Sequence, residues 1–194
     1  MAKPRPVTGI DPARRVRPNA RKILAARIDE VYEYDGLVAN PANITDLHNM
    51  RIAFKRLRYL LEIFEAAFGA NLEPFLDQVK SMQDLLGDIH DCDVQVPMLE
   101  AHLAWLERQE ATSVERMLTG ARRTRSPEDQ SVALERFRSR LEAARRTDER
   151  PGIHTLIAMR RAQRIALYTQ FTNAWRRLKH ERFRQRLEHA VGIR

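Results

Sequence analysis

A single apolar stripe in residues 47–68 constrains the fold more than any other feature of this chain. Seven large apolar side chains recur there at alternating steps of three and four positions. They are Leu47, Met50, Phe54, Leu57, Leu61, Phe64 and Phe68. Because an α-helix completes a turn in 3.6 residues, this spacing lines one face of a helix and predicts that the face packs in a core.

The same segment carries basic side chains on a neighbouring edge of the helix. His48, Arg51, Lys55 and Arg58 recur at almost the same steps, and we call these four residues the basic row. At about 100° per residue they fall within an arc of roughly 80°, and Arg56 lies beside that arc. A helix that packs one edge in a core and presents cations from the next edge can bind a polyanion.

The rest of the pattern predicts an all-α protein. The chain has 194 residues with 43% hydrophobic residues and only 7 Gly, and runs of β-branched residues are scarce. Residues 1–18 hold four of the nine Pro and five Arg or Lys, which predicts a flexible basic arm. We expect residues 19–194 to form one helical domain.

Glycine, proline and changes of apolar phase divide this domain into about six helices, which predicts an antiparallel bundle. Turns are expected at residues 36–41, 120–130 and 147–152, and a break at 179–181. We also expect Gly87 to end or kink a helix that begins near residue 72, with a new helix starting near Asp91 or Asp93.

The net charge of +8 predicts an acidic partner, and nucleic acid, anionic lipid and polyphosphate all satisfy that condition. No apolar stretch approaches the roughly 20 residues that cross a bilayer. The basic N-terminus lacks the apolar region of a secretion signal. One cysteine, Cys92, excludes an internal disulfide framework. We therefore expect a cytoplasmic protein, and the sequence leaves its oligomeric state open.

Two motifs resemble those of the CHAD family, the conserved-histidine α-helical domain. The first reads H-x-x-R-x-x-x-K-R-x-R from His48 to Arg58. The second is similar to L-G-x-x-x-D-x-x-V and is carried by Leu86, Gly87, Asp91 and Val94. The resemblance suggests a short stand-alone member and covers the chain from about residue 19, although the C-terminal half matches only by helix pattern. It implies an antiparallel helical bundle that binds inorganic polyphosphate through basic surfaces. Because no catalytic motif is recognised, we expect binding without catalysis, cofactor or metal, and an association with polyphosphate granules.

The candidate binding site comprises the basic row, the neighbouring Arg56, Lys80 and a cluster of arginines. Lys80 can point into the same cleft, and a cluster of arginines near residue 160 can form an opposing wall. The full candidate set is His48, Arg51, Lys55, Arg56, Arg58, Lys80, Arg160, Arg161 and Arg164. Guanidinium groups match phosphate oxygens in paired geometry, and lysine supplies a mobile point charge. We expect Asp84, Asp88 and Asp91 to hold arginine side chains in extended conformations.

Three alternatives remain open. The same basic face can associate with nucleic acid nonspecifically, although no aromatic stacking platform is recognised beside the row. An HD-type metal-dependent phosphohydrolase would use His48, the His90–Asp91 pair and a later aspartate, but Asp129 and Asp148 fall in predicted loops. The face can also dock the acidic surface of a protein partner.

Overall fold

The computed structural model describes residues 3–69, 72–122, 126–146 and 148–193. Within these ranges six α-helices and one short 3₁₀ turn, Leu37–Ala39, account for the regular structure, and no strand is present. The helices are α1 (Val16–Tyr32), α2 (Ile44–Phe68), α3 (Glu73–Arg122), α4 (Pro127–Arg146), α5 (Arg150–His180) and α6 (Phe183–Val191). The all-α bundle expected from the sequence is therefore confirmed.

The expectation that Gly87 ends a helix is wrong, because α3 continues through both Gly87 and Pro97. Glycine in a helix interior costs only about 1 kcal/mol relative to alanine and keeps its amide donor. On either side of it, Leu86 and Ile89 are buried in the core, and so is Cys92 one turn further on. Burial of this apolar face holds the backbone helical where local propensity alone favours a break.

The chain divides into two compact units, and the first contains the continuous core. This unit takes the residues up to Asp93 and those from Gln163 onward. The apolar stripe of α2 is confirmed as its centre, with six of its seven residues buried and Phe64 half-buried. The ring of Phe54 meets Trp175 of α5 edge-on with centroids 5.9 Å apart, and Phe75 of α3 meets Phe183 of α6 at the same distance.

Contacts at both ends show that α1 and α2 run antiparallel. Arg17 near the start of α1 donates to the carbonyl of Ala67 near the end of α2. Towards the other end of α1, the carboxylate of Glu30 accepts from Arg56. These two contacts define the register of α1 against α2.

Three side chains of α5 form hydrogen bonds with the connection between α1 and α2. The Asp35 carboxylate accepts hydrogen bonds from Trp175 Nε1 at 2.7 Å and from Lys179 Nζ at 2.6 Å. The hydroxyl of Tyr168 lies 2.9 Å from the carbonyl oxygen of Val38 and 2.7 Å from that of Ala39. The turn that leads into α2 is thereby held in place, which sets where the basic row begins.

The second unit, residues 94–162, comprises the distal part of α3, all of α4 and the first part of α5. Of its described residues, Ile157 is the only buried hydrophobic one. The expected turn at 120–130 is shorter than predicted, because α3 extends to Arg122 and α4 begins at Pro127; residues 123–125 lie outside the described ranges. The break at 147–152 is shorter too, and Thr147 also lies outside those ranges.

The segment before α1 lies against that helix in the residues described. Asn19 accepts from the amide of Asp11 at 3.1 Å and donates to its carbonyl at 2.7 Å. Arg5 donates to Glu33 at 2.8 Å, and its carbonyl accepts from Arg27. The flexibility of residues 1–18 and the domain boundary at residue 19 stay predictions, while the helix itself begins at Val16.

Candidate functional site

The basic row lies on α2. The residues at the start of this helix and its apolar stripe explain why the row lies at the edge of the core. The helix begins at Ile44 after Asn43, and Asp46 in its first turn complements the positive end of the helix dipole. With the apolar stripe buried, His48, Arg51 and Arg58 are half-buried at its edge and Lys55 is exposed. The row therefore follows the seam where α2 meets its neighbours.

A pair of imidazoles marks the contact between α2 and α3. His48 Nδ1 lies 3.2 Å from Nδ1 of His90, and the ring centroids are 4.5 Å apart with the planes tilted by 39°. One of these nitrogens must carry a hydrogen and donate it while the other accepts. The histidine predicted from the sequence is thus joined by a second one on another helix.

The side chain of Arg51 crosses the same seam at Gly87. A Cβ built on Gly87 would lie 3.7 Å from Arg51 Nε, so the guanidinium occupies space beside a helix position that has no side chain. Moving three residues forward from His48 to Arg51 corresponds to moving three residues back from His90 to Gly87. The two helices therefore run antiparallel, and this register puts Arg58 level with Lys80.

The environment of His48 lowers its pKa below the ordinary value of 6.5. Burial contributes most, followed by the electrostatic effects of His90 and Arg51, each of which disfavours a positive imidazole. His48 is accordingly neutral in the free protein at neutral pH. A polyanion bound beside it would reverse the electrostatic part of this balance and favour the protonated ring.

Two members of the row carry charges that no acidic side chain balances among the described residues. Neither Arg51 nor Lys55 forms an ion pair there, whereas Arg58 Nε lies 3.5 Å from Glu62 without hydrogen-bond geometry. Lys55 Nζ is 5.8 Å from the ring centroid of Tyr59, and the Arg58 guanidinium is 4.9 Å from it. The row therefore presents unneutralised positive charge beside an aromatic ring.

Tyr59 was not recognised from the sequence. Its side chain is 42% exposed. It lies beside the basic row because it follows Lys55 by four positions, about one helical turn. The sequence predicted that no aromatic stacking platform accompanies the row, and one exposed tyrosine does not contradict that prediction. A single tyrosine already in contact with two cations is still far from a platform that stacks successive bases.

Arg56 has a different environment from the row. Its guanidinium donates to Glu30, a carboxylate that is only 2% exposed and also accepts from the buried Arg27. Burying a carboxylate is unfavourable unless charged donors surround it, and these two arginines supply them. Arg56 thus fastens α2 to α1.

The second group of candidate cations is divided between the two units. In the first unit, Arg164 donates to Asp93 of α3 and, at 2.8 Å, to the carbonyl of Pro41 just before α2. Arg160 and Arg161 belong to the second unit, where Arg161 pairs with Glu100. Lys80 is an exposed residue of α3.

The acidic residues of α3 do not hold the row as expected. Asp84, Asp88 and Asp91 are exposed and form no ion pair with any described basic side chain. The expectation is wrong because α3 continues as one helix, which turns these three carboxylates outward and leaves Asp93 as the residue that holds Arg164.

Asp129 and Asp148, the candidates for the later aspartate of a metal-dependent hydrolase, both belong to the second unit. Asp129 lies in the first turn of α4 rather than in a loop, and Asp148 accepts from Arg150, whose hydrogen bonds hold the pKa of that carboxyl below its usual range. Within the ranges that the structure describes, no group of three or more histidine, cysteine or acidic side chains could hold a metal ion.

The described chain thus combines an all-α fold with a basic row in which Arg51 and Lys55 have no acidic partner among the described residues, beside a pair of imidazoles. The sequence model of the CHAD domain matches residues 2–100, so the chain belongs to the CHAD domain family. Domains of this family bind polyphosphate and are generally non-catalytic. No curated protein and no solved structure matches the chain. None of the described helices is long and apolar enough to cross a membrane.

Proposed function

We propose that this protein binds inorganic polyphosphate along the basic row of α2 and does not hydrolyse it. The observation that carries the proposal is the lack of acidic partners for Arg51 and Lys55 among the described residues, while Arg56 and Arg164 nearby have such partners. Leaving cations unpaired beside a packed seam is favourable only when solvent or a ligand supplies the negative charge.

The repeat of the row suits a linear polyanion. Successive members recur about once per turn, or about every 5.4 Å along the helix. Arg51 and Arg58 can each contact phosphate oxygens through two parallel N–H groups, and Lys55 can follow the chain as a point charge. Lys80, level with Arg58, would extend the row onto α3.

In this proposal the charge of His48 depends on whether polyphosphate is bound. It is neutral without ligand, because burial, His90 and Arg51 lower its pKa. As polyphosphate approaches, the imidazole takes up a proton and becomes a further cation of the row. Binding would therefore be coupled to proton uptake.

The other candidate cations would act differently. Arg56 and Arg164 would position α2 through Glu30 and Asp93 instead of contacting phosphate. Arg161 would contribute weakly, because contact with phosphate competes with its Glu100 partner, and Arg160 beside it is proposed as an additional contact of the second unit. We expect the protein to associate with polyphosphate granules.

Nonspecific binding of single-stranded nucleic acid is the second candidate function, and the exposed Tyr59 ring favours it. A base stacked on an aromatic ring is worth roughly 1–3 kcal/mol. The ring is already covered by contacts to Lys55 and Arg58, and one ring cannot order several bases. We therefore expect nucleic acid to bind more weakly than polyphosphate of equal charge.

Competition at fixed salt concentration tests this proposal. Protein loaded with labelled long-chain polyphosphate is challenged with DNA, RNA and ATP, each matched in total charge. Unlabelled polyphosphate should displace the label at a lower charge concentration than any nucleic acid. The logarithm of affinity should fall linearly with the logarithm of salt concentration. Displacement by DNA or RNA at an equal or lower charge concentration would favour the second candidate.

A phosphate-release assay tests the absence of catalysis. The purified protein is incubated with polyphosphate or nucleotides, with and without Mn²⁺. No phosphate above the blank is expected. Turnover that depends on the metal and disappears in Asp91→Ala would identify a hydrolase instead.

A further inference from the structure

The second unit carries an apolar groove that the described chain leaves unfilled. The groove has a volume of about 640 Å³ between the end of α3 and the middle of α4. Its apolar walls are Met117 and Leu118 of α3 with Ala133, Leu134 and Phe137 of α4. In a well-packed protein interior such a volume would be filled by side chains.

The side chains around this groove are exposed to an unusual degree for large apolar residues. Leu134 is 67% exposed, and Leu118 is 51% exposed. Among the residues that the structure describes, none of the second unit belongs to the hydrophobic core cluster. A hairpin of long helices gains most of its stability from burying an apolar face. The exposed apolar groove between α3 and α4 therefore favours contact with another apolar surface.

The charges of α4 indicate what covers the groove. The first turn of the helix is acidic, with Glu128 and Asp129, and neither forms an ion pair with a described residue. The second half is basic, and Arg136 and Arg140 at the rim likewise have no acidic partner in the described part of the chain. The first turn of α4 is therefore negatively charged and its second half positively charged, so opposite ends of two such helices attract each other.

We propose that the groove is an interface with a second copy of this chain, in which the two α4 helices pack antiparallel. That arrangement puts the acidic first turn of each helix against the arginine-bearing half of the other. The two α3–α4 hairpins together form a four-helix arrangement that buries Leu134 and Phe137 of both copies. The interface is isologous, so the same residues serve both partners.

Matched surface substitutions test the interface in the full chain. Leu134→Glu is compared with Ile63→Glu on α2, since Ile63 is 66% exposed and receives the same change of charge. Sedimentation equilibrium of the unaltered protein should give twice the chain mass. Leu134→Glu should give the chain mass itself, while Ile63→Glu stays dimeric. Because both residues are exposed in the single chain, neither change should disturb the fold, which circular dichroism checks.

The direction of the helices is tested by spin labels. Single cysteines replace Ser131, close to the level of Leu134, or Glu142, towards the end of α4, both of which are exposed. The native Cys92 is buried and does not take up the label. In an antiparallel pair that crosses level with Leu134, the Glu142 labels should be offset along the helix axes by roughly 15 Å more than the Ser131 labels, from a rise of 1.5 Å per residue on both helices. Equal label distances would overturn the antiparallel arrangement.

Three other outcomes would overturn the proposed interface itself. These are a monomer for the unaltered protein at every concentration, dissociation by both glutamate substitutions, and dissociation by neither. A monomer whose groove binds an anionic detergent in place of a second copy would assign the groove to an amphipathic ligand. The test does not depend on polyphosphate, so the binding function and the interface can fail separately.

Discussion

The Nδ1 atoms of His48 and His90 lie 3.2 Å apart, although 42 residues separate the two histidines in the chain. Only one hydrogen fits between nitrogens at that distance, so one ring donates and the other accepts. Arg51 lies beside the pair and disfavours a second positive charge. The protonation of His48, and with it the hydrogen bond between the two imidazoles, therefore depends on pH.

Stability should fall on the acid side of neutrality. The pKa of His48 is lowered in the folded state, so the unfolded chain binds its proton at a higher pH than the native chain does. The free energy of unfolding should be at its full value above the ordinary pKa of 6.5 and should decrease as the pH falls through it. Urea denaturation on both sides of that pH measures this, and His90→Gln should reduce the slope. The exposed His154→Gln is the control and should leave it unchanged.

Polyphosphate should bind more tightly as the pH is lowered through the same range. The bound polyanion stabilises protonated His48, so binding takes up a proton that the free protein does not hold at neutral pH. Calorimetry in two buffers with different ionisation enthalpies measures the uptake directly. His48→Gln should abolish it. Proton uptake that persists in this variant would assign the effect to the phosphate groups of the ligand.

Arg51→Ala combined with Arg58→Ala should weaken polyphosphate binding by well over tenfold. Each charge-assisted contact to phosphate is worth roughly 1.5–3 kcal/mol. The matched control is Arg108→Ala with Arg138→Ala, two exposed arginines of the second unit that remove the same charge. The control should lower the affinity only modestly, and this loss should become smaller as the salt concentration rises. Equal losses in the two double variants would mean that binding follows net charge, without a site at the row.

Substitutions at Gly87 should separate stability from binding. A Cβ fits at this position, 3.7 Å from Arg51 Nε, so Gly87→Ala should raise the free energy of unfolding by roughly 0.5–1 kcal/mol and leave the affinity nearly unchanged. Gly87→Leu should displace the guanidinium and weaken polyphosphate binding several-fold. Denaturation and binding are measured on both variants. Normal binding by Gly87→Leu would show that the position of Arg51 over α3 is unimportant.

Asp35→Ala should destabilise the first unit by roughly 1–3 kcal/mol, the usual cost of leaving a buried donor unsatisfied. The carboxylate accepts from the indole of Trp175, which is buried, and from Lys179. Asp35→Asn keeps an acceptor for the indole and should lose less stability. Thermal denaturation ranks the three proteins, and an alanine variant as stable as the unaltered protein would contradict the prediction.

The sequence predicted α2 well because the cause of that helix is local. Its apolar positions repeat with the period of the helix, so burial of Phe54 and Leu57 follows from spacing alone. The break near residue 180 was also predictable. There the apolar phase slips, and Arg182 adopts a left-handed conformation with φ of 52° between α5 and α6.

The remaining features depend on which helices meet, which a single sequence does not reveal. Continuation of α3 through Gly87 follows from burial of Ile89 against other elements, and local propensity favours the opposite result. The partnership of Arg56 with Glu30 requires the antiparallel register of α1 and α2. In the same way, the contact of His48 with His90 requires the register of α2 and α3, so only one histidine of the pair was assigned to the site.

The core of the first unit is assembled from two stretches of chain that leave the ribosome at different times. Phe54 and its neighbours emerge early, but the rings of Trp175 and Phe183 that complete the core follow only after residues 94–162 have been made. At roughly 5–20 residues per second, that delay lasts several seconds or more. During this interval the nascent chain displays an incomplete apolar surface to which chaperones can bind. The speed of translation through the second unit therefore sets how long the newborn protein is exposed to aggregation.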